Sequence, residues 1–454
     1  MSDAQQGFEG DQVPDRPVFS RIAAAIDEVP RASLFREEGK VTRVIGLVVE
    51  GIGRGCFVGE LCHIEPVGGG PWTPAEVVGF RDDRILLMPL GTPEGIGMGC
   101  RIRPTGHGAT VPVGSGLLGR ILDGLGQPID GGAMPEPEGL RSLYATPLNP
   151  MERRPIEEPL DLGVSVLNGM LTVGKGQRVG IMAGSGVGKS VLLGMLARNV
   201  EVDVSVIALI GERGREVREF VERILGPEGL KRSVVVCATS DQAPLVRMRG
   251  AWLATTIAEY FREQGKDVML VMDSVTRFAM AQREIGLAVG EPPATKGYTP
   301  SVFATLPRLL ERAGNDSGPG SLTGLYTVLV EGDDMQDPIG DAVRGILDGH
   351  IVLSRDLAAA GHYPAVDVLA SASRVMNLVT SPDHQELAST VRRLLAAYRQ
   401  AEDLITIGAY QPGSNPTVDE AISRLGAING VLQQHMDRKV SFEATIEALK
   451  ATLA

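Results

Sequence analysis

Aromatic residues are scarce in this chain, 4% of 454, and the 44 Lys and Arg are outnumbered by 56 Asp and Glu for a formal net charge of −12. Both shortages argue against nucleic acid as the main ligand, because a polyphosphate binder needs a basic face and single-stranded bases need rings to stack on. Cysteine is rarer still. Cys56, Cys62, Cys100 and Cys237 are the whole supply, with no paired short spacing to histidine of the kind that holds zinc, so they read as reduced, buried thiols of a cytoplasmic protein. No uncharged run approaches the roughly 18 apolar residues of a membrane span, and the first residues do not resemble a signal peptide. Any membrane association is therefore expected to be peripheral or through partners.

Glycine, by contrast, is abundant: 57 of 454 residues against a typical share of about 7%. Many tight turns, or backbone brought close to a ligand, should follow. The length predicts roughly three domains at about 150 residues each. Residues 1–30 are polar and hold Pro14 and Pro17, which predicts a mobile segment with a short helix near 19–26. Residues 31–105 read as short β runs punctuated by glycine (VTRVIGLVVEG, LCHIEPV, AEVVGF, RILLMPL, CRIRPTG), the spacing of a small closed barrel. Over 106–380 apolar strand candidates at 178–182, 204–210, 233–238, 268–272, 326–330 and 350–353 alternate with helical segments such as 190–199 and 215–225. That alternation is the signature of a parallel sheet covered on both faces. Over 381–454 the strands stop and helices are expected at 382–403, 418–434 and 441–454. The fold class is thus α/β: a P-loop core with a parallel sheet, preceded by a β-barrel and followed by a helical domain.

The strongest chemical signal is AGSGVGKS, residues 183–190, placed after a predicted strand and before a predicted helix. Backbone N–H groups of Gly184, Ser185, Gly186, Val187, Gly188, Lys189, Ser190 and Val191 at a helix N-terminus can cradle phosphates, with Lys189 reaching the β and γ phosphates and Ser190 available to Mg2+. Ala183 replaces the first glycine of the strict pattern. Hydrolysis further requires a group that orients water and a second carboxylate in the Mg2+ shell. Glu212, after the strand 204–210, and Asp273, after the apolar run VMLVM, stand at carboxyl ends of strands, where open α/β sheets gather ligands. Read alone, Glu212 would be a solvated charge at a helix start; the P-loop makes it the candidate general base.

The motifs AGSGVGKS, GERGREV, VMDSVTRFAMAQREIGLAVGEPPATKGYTPSVF, YTVLVEGDDMQDPIGDAVRGILDGHIVLSR and GHYPAVDVLASASRVM, in this order, resemble the protein-export ATPase of the bacterial flagellum. That family is related to the catalytic β subunit of rotary ATP synthases and to the ATPase of type III injectisomes. The resemblance runs from about residue 40 to the C-terminus and implies a RecA-like core and a homohexamer with ATP sites between subunits. It implies the general base on Glu212, phosphate contacts from Lys189 and Arg213, and Mg2+ held at Ser190 and Asp273. Arg374, in SASRVM, would be a finger reaching the neighbour's site, and Tyr363, in HYPAVD, would lie beside adenine. Read from the residues alone, Arg374 is an ordinary surface or paired arginine and Tyr363 fits a core tyrosine equally well.

The implied function is ATP hydrolysis by a cytoplasmic motor, peripheral to the inner membrane at the flagellar base, that releases export cargo from chaperones. Implied partners are a stator-like regulator at the N-terminal segment, a central stalk protein, chaperone–cargo complexes and the membrane export gate. Alternatives are an injectisome ATPase, whose wording LLAAYRQAEDLI approaches, and a rotary synthase catalytic subunit, which would carry a strongly acidic helical segment where this chain has AEDLITIGAYQPGSNPTVDEAI. A non-catalytic nucleotide-binding subunit would have Gln in place of Glu212. An RNA translocase would need a basic or aromatic face on the barrel, and 40–103 suggests neither.

Overall fold

The computed structural model describes residues 38–330 and 337–454. The expected N-terminal helix near 19–26 and the segment EGDDMQ, 331–336, lie outside the described residues. Six antiparallel strands, β1 (Gly39–Ile45), β2 (Val48–Ile52), β3 (Glu60–Ile64), β4 (Thr73–Arg81), β5 (Arg84–Pro89) and β6 (Arg101–Gly108), close a barrel in the order β1-β2-β5-β4-β3-β6. The run VTRVIGLVVEG, read as one segment, is two strands: Gly46 takes φ 55°, a left-handed turn that folds β1 back on β2. After the exposed Arg84, β5 is apolar because it is buried on both faces. Ile85 and Leu87 point into the barrel core with Val41, Val49, Ile64 and Ile102, while Leu86 and Met88 join the core of the central domain, the alternation a strand enforces. On the barrel, Arg103 and Arg101 lie 4.3 and 5.5 Å from the Trp72 ring. Both guanidiniums are paired, with Glu38 and with Glu38 and Glu65 respectively, so the patch is not a free basic face.

A short ribbon of β7 (Thr110–Val113) and β9 (Gly139–Ser142) leads into a sheet of eight strands. They are β8 (Ile121–Asp123), β10 (Arg178–Ala183), β11 (Val204–Ile210), β12 (Ser233–Ala238), β13 (Asp267–Asp273), β14 (Ser321–Leu329), β15 (Gly349–Leu353) and β16 (Ala372–Ser373), ordered β16-β15-β10-β14-β13-β11-β12-β8. All pair in parallel except β16, which is antiparallel to β15. The two edge strands are too short to leave a periodic signal, and the strand expected at 326–330 begins earlier, at Ser321, and ends at Leu329. One large apolar cluster covers each face. The helical segment expected at 215–225 is α-helical only over Gly214–Glu219 and passes into a wider π turn over Phe220–Leu225.

The C-terminal helices Pro382–Thr406, Pro416–Leu432 and Phe442–Leu453 start where sequence chemistry starts them. The Ser381, Asn415 and Ser441 side chains accept from backbone N–H groups of the first turn, and Pro opens the first two helices. The His384 ring lies 2.8 Å from the Gly169 carbonyl, tying this layer to the helix Ser165–Met170 of the central domain.

Candidate functional site

The carboxyl ends of β10, β11, β13, β14 and β15 share one edge of the sheet, and a cleft of about 810 Å³ opens there. β10 ends at Ala183, whose side chain is buried and whose backbone pairs with Leu329 and Leu353; the position is extended strand, so a Cβ costs nothing. The chain then turns through Gly186 and Gly188 at φ 80° and 91° and enters the helix Lys189–Asn199. Val187, expected among the nucleotide contacts, turns its side chain into the core, which anchors the loop and leaves only its backbone for a ligand. Gly184, Ser185, Gly186, Gly188, Lys189, Ser190 and Val191 all line the cleft.

Glu212, Arg213 and Lys189 meet in the same cleft. β11 delivers Glu212 through Gly211, φ 72°, where a Cβ would come within 2.8 Å of the Arg277 side chain, so only glycine suits the turn. Lys189 Nζ sits against Asp273 Oδ1 and 3.6 Å from Glu212 Oε1. Burial pushes the Glu212 carboxyl up to about 7; the Lys189 charge opposes the shift and the Asp273 charge adds to it. Asp273 is 4% exposed and accepts from the Thr327 hydroxyl at 2.6 Å. Arg213 is largely exposed and pairs loosely with Glu216, 3.6 Å away.

Ser190 and Asp273 supply one hydroxyl and one carboxylate, and among the described residues no group of three or more His, Cys, Asp or Glu gathers to hold an ion unaided. That donor set suits Mg2+, a hard cation that keeps waters and takes phosphate oxygens as further ligands. The cleft is also cationic beyond the predicted residues: Arg277, Arg283, Lys296 and Arg355 line it, and the Nε atoms of Arg277 and Arg283 are buried without a hydrogen-bond partner. Arg277 stands four residues beyond Asp273, and Arg355 two beyond the end of β15; the strand-end rule that found Glu212 reaches both. Lys296, at φ 49°, carries no such signal.

Tyr363 is not a core residue. It is 46% exposed, its ring would lie 3.3 Å from a Cβ on Gly188, and with Val191, Met195, Gln433 and Met436 it lines a second hollow of about 650 Å³ beside the P-loop. Apolar walls next to a phosphate loop provide room for a flat ring. Arg374 is the one predicted residue that stays away. Its N–H donates to Asp348 O and its guanidinium to the Leu347 and Arg344 carbonyls. The Asp348 carboxylate in turn holds Arg178, the first residue of β10, whereas the P-loop follows the last. Arg374 thus lies across the depth of the sheet from its own chain's phosphate loop, about 20 Å at roughly 3.3 Å per residue.

Three family models match parts of the chain: the ATP synthase alpha/beta family beta-barrel domain over residues 41–106, the nucleotide-binding domain of the same family over 163–373, and the T3SS EscN ATPase C-terminal domain over 380–451. The flagellum-specific ATP synthase of Bacillus subtilis is 54% identical over 430 residues, 94% of this chain and 98% of that protein. The type 3 secretion system ATPase of Xanthomonas euvesicatoria is 51% identical over 422 residues, 93% of this chain and 95% of that protein. Among solved structures, the assembled ATPase EscN from the type III secretion system of enteropathogenic E. coli superimposes with a TM-score of 0.87 at 45% identity, covering 92% of this chain and 100% of that one. EscN in complex with its central stalk EscO gives 0.84 with the same coverage.

Proposed function

We propose, for a chain that belongs to the ATP synthase alpha/beta family and shares about half its residues over most of its length with flagellum-specific ATP synthases and type 3 secretion ATPases, that it hydrolyses ATP as the cytoplasmic motor of flagellar protein export. The observation that carries this reading is the meeting of Glu212, Lys189 and Asp273 at the mouth of the P-loop. Glu212, with its proton affinity raised near neutrality, takes a proton from the attacking water. Lys189 leaves the two carboxylates for the phosphates, and the backbone N–H groups of 184–191 hold the phosphate oxygens. Ser190 and Asp273 would hold Mg2+, and the chemistry it would supply there is neutralisation of phosphate charge. Arg213 adds a positive charge at the rim. Tyr363 packs against the adenine ring.

The remoteness of Arg374 from its own P-loop supports a site completed by a neighbouring copy, hence a closed ring, and a homohexamer is the assembly we infer. An arginine from the neighbour meets charge that develops in the transition state. A central stalk protein inside the ring is proposed from the likeness to EscN bound to its stalk. The stator-like regulator, the chaperone–cargo complexes and the export gate remain part of the same proposal. So does a cytoplasmic location peripheral to the inner membrane at the flagellar base; no described helix is long and apolar enough to cross a membrane.

The test pairs steady-state hydrolysis with recovery of partners from cells. Hydrolysis per subunit should rise with protein concentration and disappear in Glu212→Gln. Flagellar chaperones and gate proteins should co-purify with the chain; injectisome components in their place would move it to the second branch, and full activity of Glu212→Gln would overturn the mechanism.

A further inference from the structure

β14 is buried from Ser321 to Val328 and otherwise mostly apolar over its last five residues, yet it carries Thr327 fully enclosed. A hydroxyl taken out of water needs a partner. The register of the sheet supplies one: Met272 lies opposite Tyr326, so the next residue of β14 stands beside Asp273. The Thr327 hydroxyl has a single proton and two acceptors in range, Asp273 Oδ1 at 2.6 Å and the Met272 carbonyl at 3.4 Å; the shorter contact takes the proton. Two residues on, the backbone N–H of Leu329 donates to Thr276 Oγ1 at 2.8 Å, which pins the end of β14 to the helix Val275–Val289, two residues beyond Asp273.

We propose that Thr327 is a positioning residue that fixes the Asp273 carboxylate for the metal side of the site. The inference rests on the ATPase reading above and goes beyond it. In the present structure Asp273 Oδ1 is held from two sides, by Thr327 and by Lys189. Lys189 must leave when phosphates arrive, because its ammonium is the group that meets them. Thr327 is then the only side chain among these two still holding the carboxylate, and both contacts fall on Oδ1, which leaves Oδ2 for a water of the Mg2+ shell. A partner behind a metal-side ligand of this kind sets its orientation, and its loss costs about 10- to 100-fold in metal affinity in comparable sites. Valine has the branched shape of threonine without the donor; serine keeps the donor.

The experiment titrates Mg2+ into the full-length chain with a fluorescent ADP analogue, alongside the same titration of the analogue in EDTA, for the wild type, Thr327→Val and Thr327→Ser. The expected result is a half-saturating Mg2+ concentration raised about tenfold in Thr327→Val, near wild type in Thr327→Ser, and an unchanged affinity for the analogue in EDTA. Equal Mg2+ dependence in wild type and Thr327→Val overturns the proposal. Equal impairment of both variants, or a Thr327→Val defect of the same size in EDTA, also overturns it, since either marks a packing role. A wild-type chain that binds no analogue at all would instead sink the ATPase reading on which the proposal stands.

Discussion

Lys189 Nζ lies 3.6 Å from Glu212 Oε1 while it holds Asp273 with the same ammonium, so one positive charge keeps two enclosed carboxylates together. Replacing Lys189 with Met removes that charge and leaves the carboxylates facing each other. The nucleotide-free protein should melt at a lower temperature, because unpaired enclosed charges are costly. Nucleotide affinity should fall about 10- to 100-fold, the worth of a charge-assisted contact of roughly 1.5–3 kcal/mol. Thermal shift with and without ATP measures both: the variant's melting temperature should respond weakly to ATP, and a full response would sink this role for Lys189.

The raised Glu212 carboxyl gives two pH signatures. As a base it must be ionised, so kcat/KM should climb with pH up to about 7 and level off above it. The stability effect has the opposite sign. Between the ordinary carboxyl value of 4.5 and about 7 the folded protein binds the proton and the unfolded chain does not, so stability falls as pH rises through that window. Glu212→Gln should abolish turnover and flatten that part of the stability profile. Urea titrations at several pH values in both proteins test it; an unchanged slope in Glu212→Gln would place the titration elsewhere.

Much of this was legible in the sequence, for identifiable reasons. Glu212 and Asp273 each follow an apolar run, and a parallel strand that ends in an acid places it at the ligand edge whatever the rest of the fold does. The barrel was legible from its glycine-spaced β runs, but the facing of Leu86 and Met88 onto the central domain was not, since a strand buried on both faces has no polar side to read. Thr327 escaped because its meaning lies in cross-strand register, which no local pattern encodes. Arg374 is the reverse case: its residues alone said nothing, family likeness singled it out, and the structure then put it at the wrong end of the sheet for its own chain.

The seam between barrel and central domain carries a second ionic prediction. Arg249 reaches Glu76 Oε2 at 2.5 Å, and Tyr144 donates to the other carboxylate oxygen at 2.7 Å. Burial pushes the Glu76 carboxyl up, and Arg249 acts against it. Arg249→Ala strands a nearly inaccessible carboxylate, at a cost of about 3–5 kcal/mol, whereas the double replacement Glu76→Leu with Arg249→Met should recover much of it. Chemical denaturation of the wild type and the two variants decides; Arg249→Ala as stable as wild type would show that the pair holds nothing.

Arg374 yields the sharpest test of a site shared between copies. If its guanidinium serves the neighbour, Arg374→Ala should bind nucleotide normally and lose about 10³- to 10⁵-fold in turnover. Glu212→Gln should be inactive for a different reason, in the chain that holds the P-loop. Mixing the two inactive proteins then forms some interfaces in which Glu212 comes from the Arg374→Ala copy and Arg374 from the Glu212→Gln copy. Those interfaces carry a complete set, so activity should reappear on mixing and grow with protein concentration. If Arg374 acted only through the Leu347 and Arg344 carbonyls that it holds within its own chain, each mixed interface with an intact Glu212 would contain a disabled chain and no activity would return. Stopped assays of the separate and mixed variants at matched total concentration distinguish the two, and silence on mixing, with assembly confirmed by light scattering, would overturn the shared site.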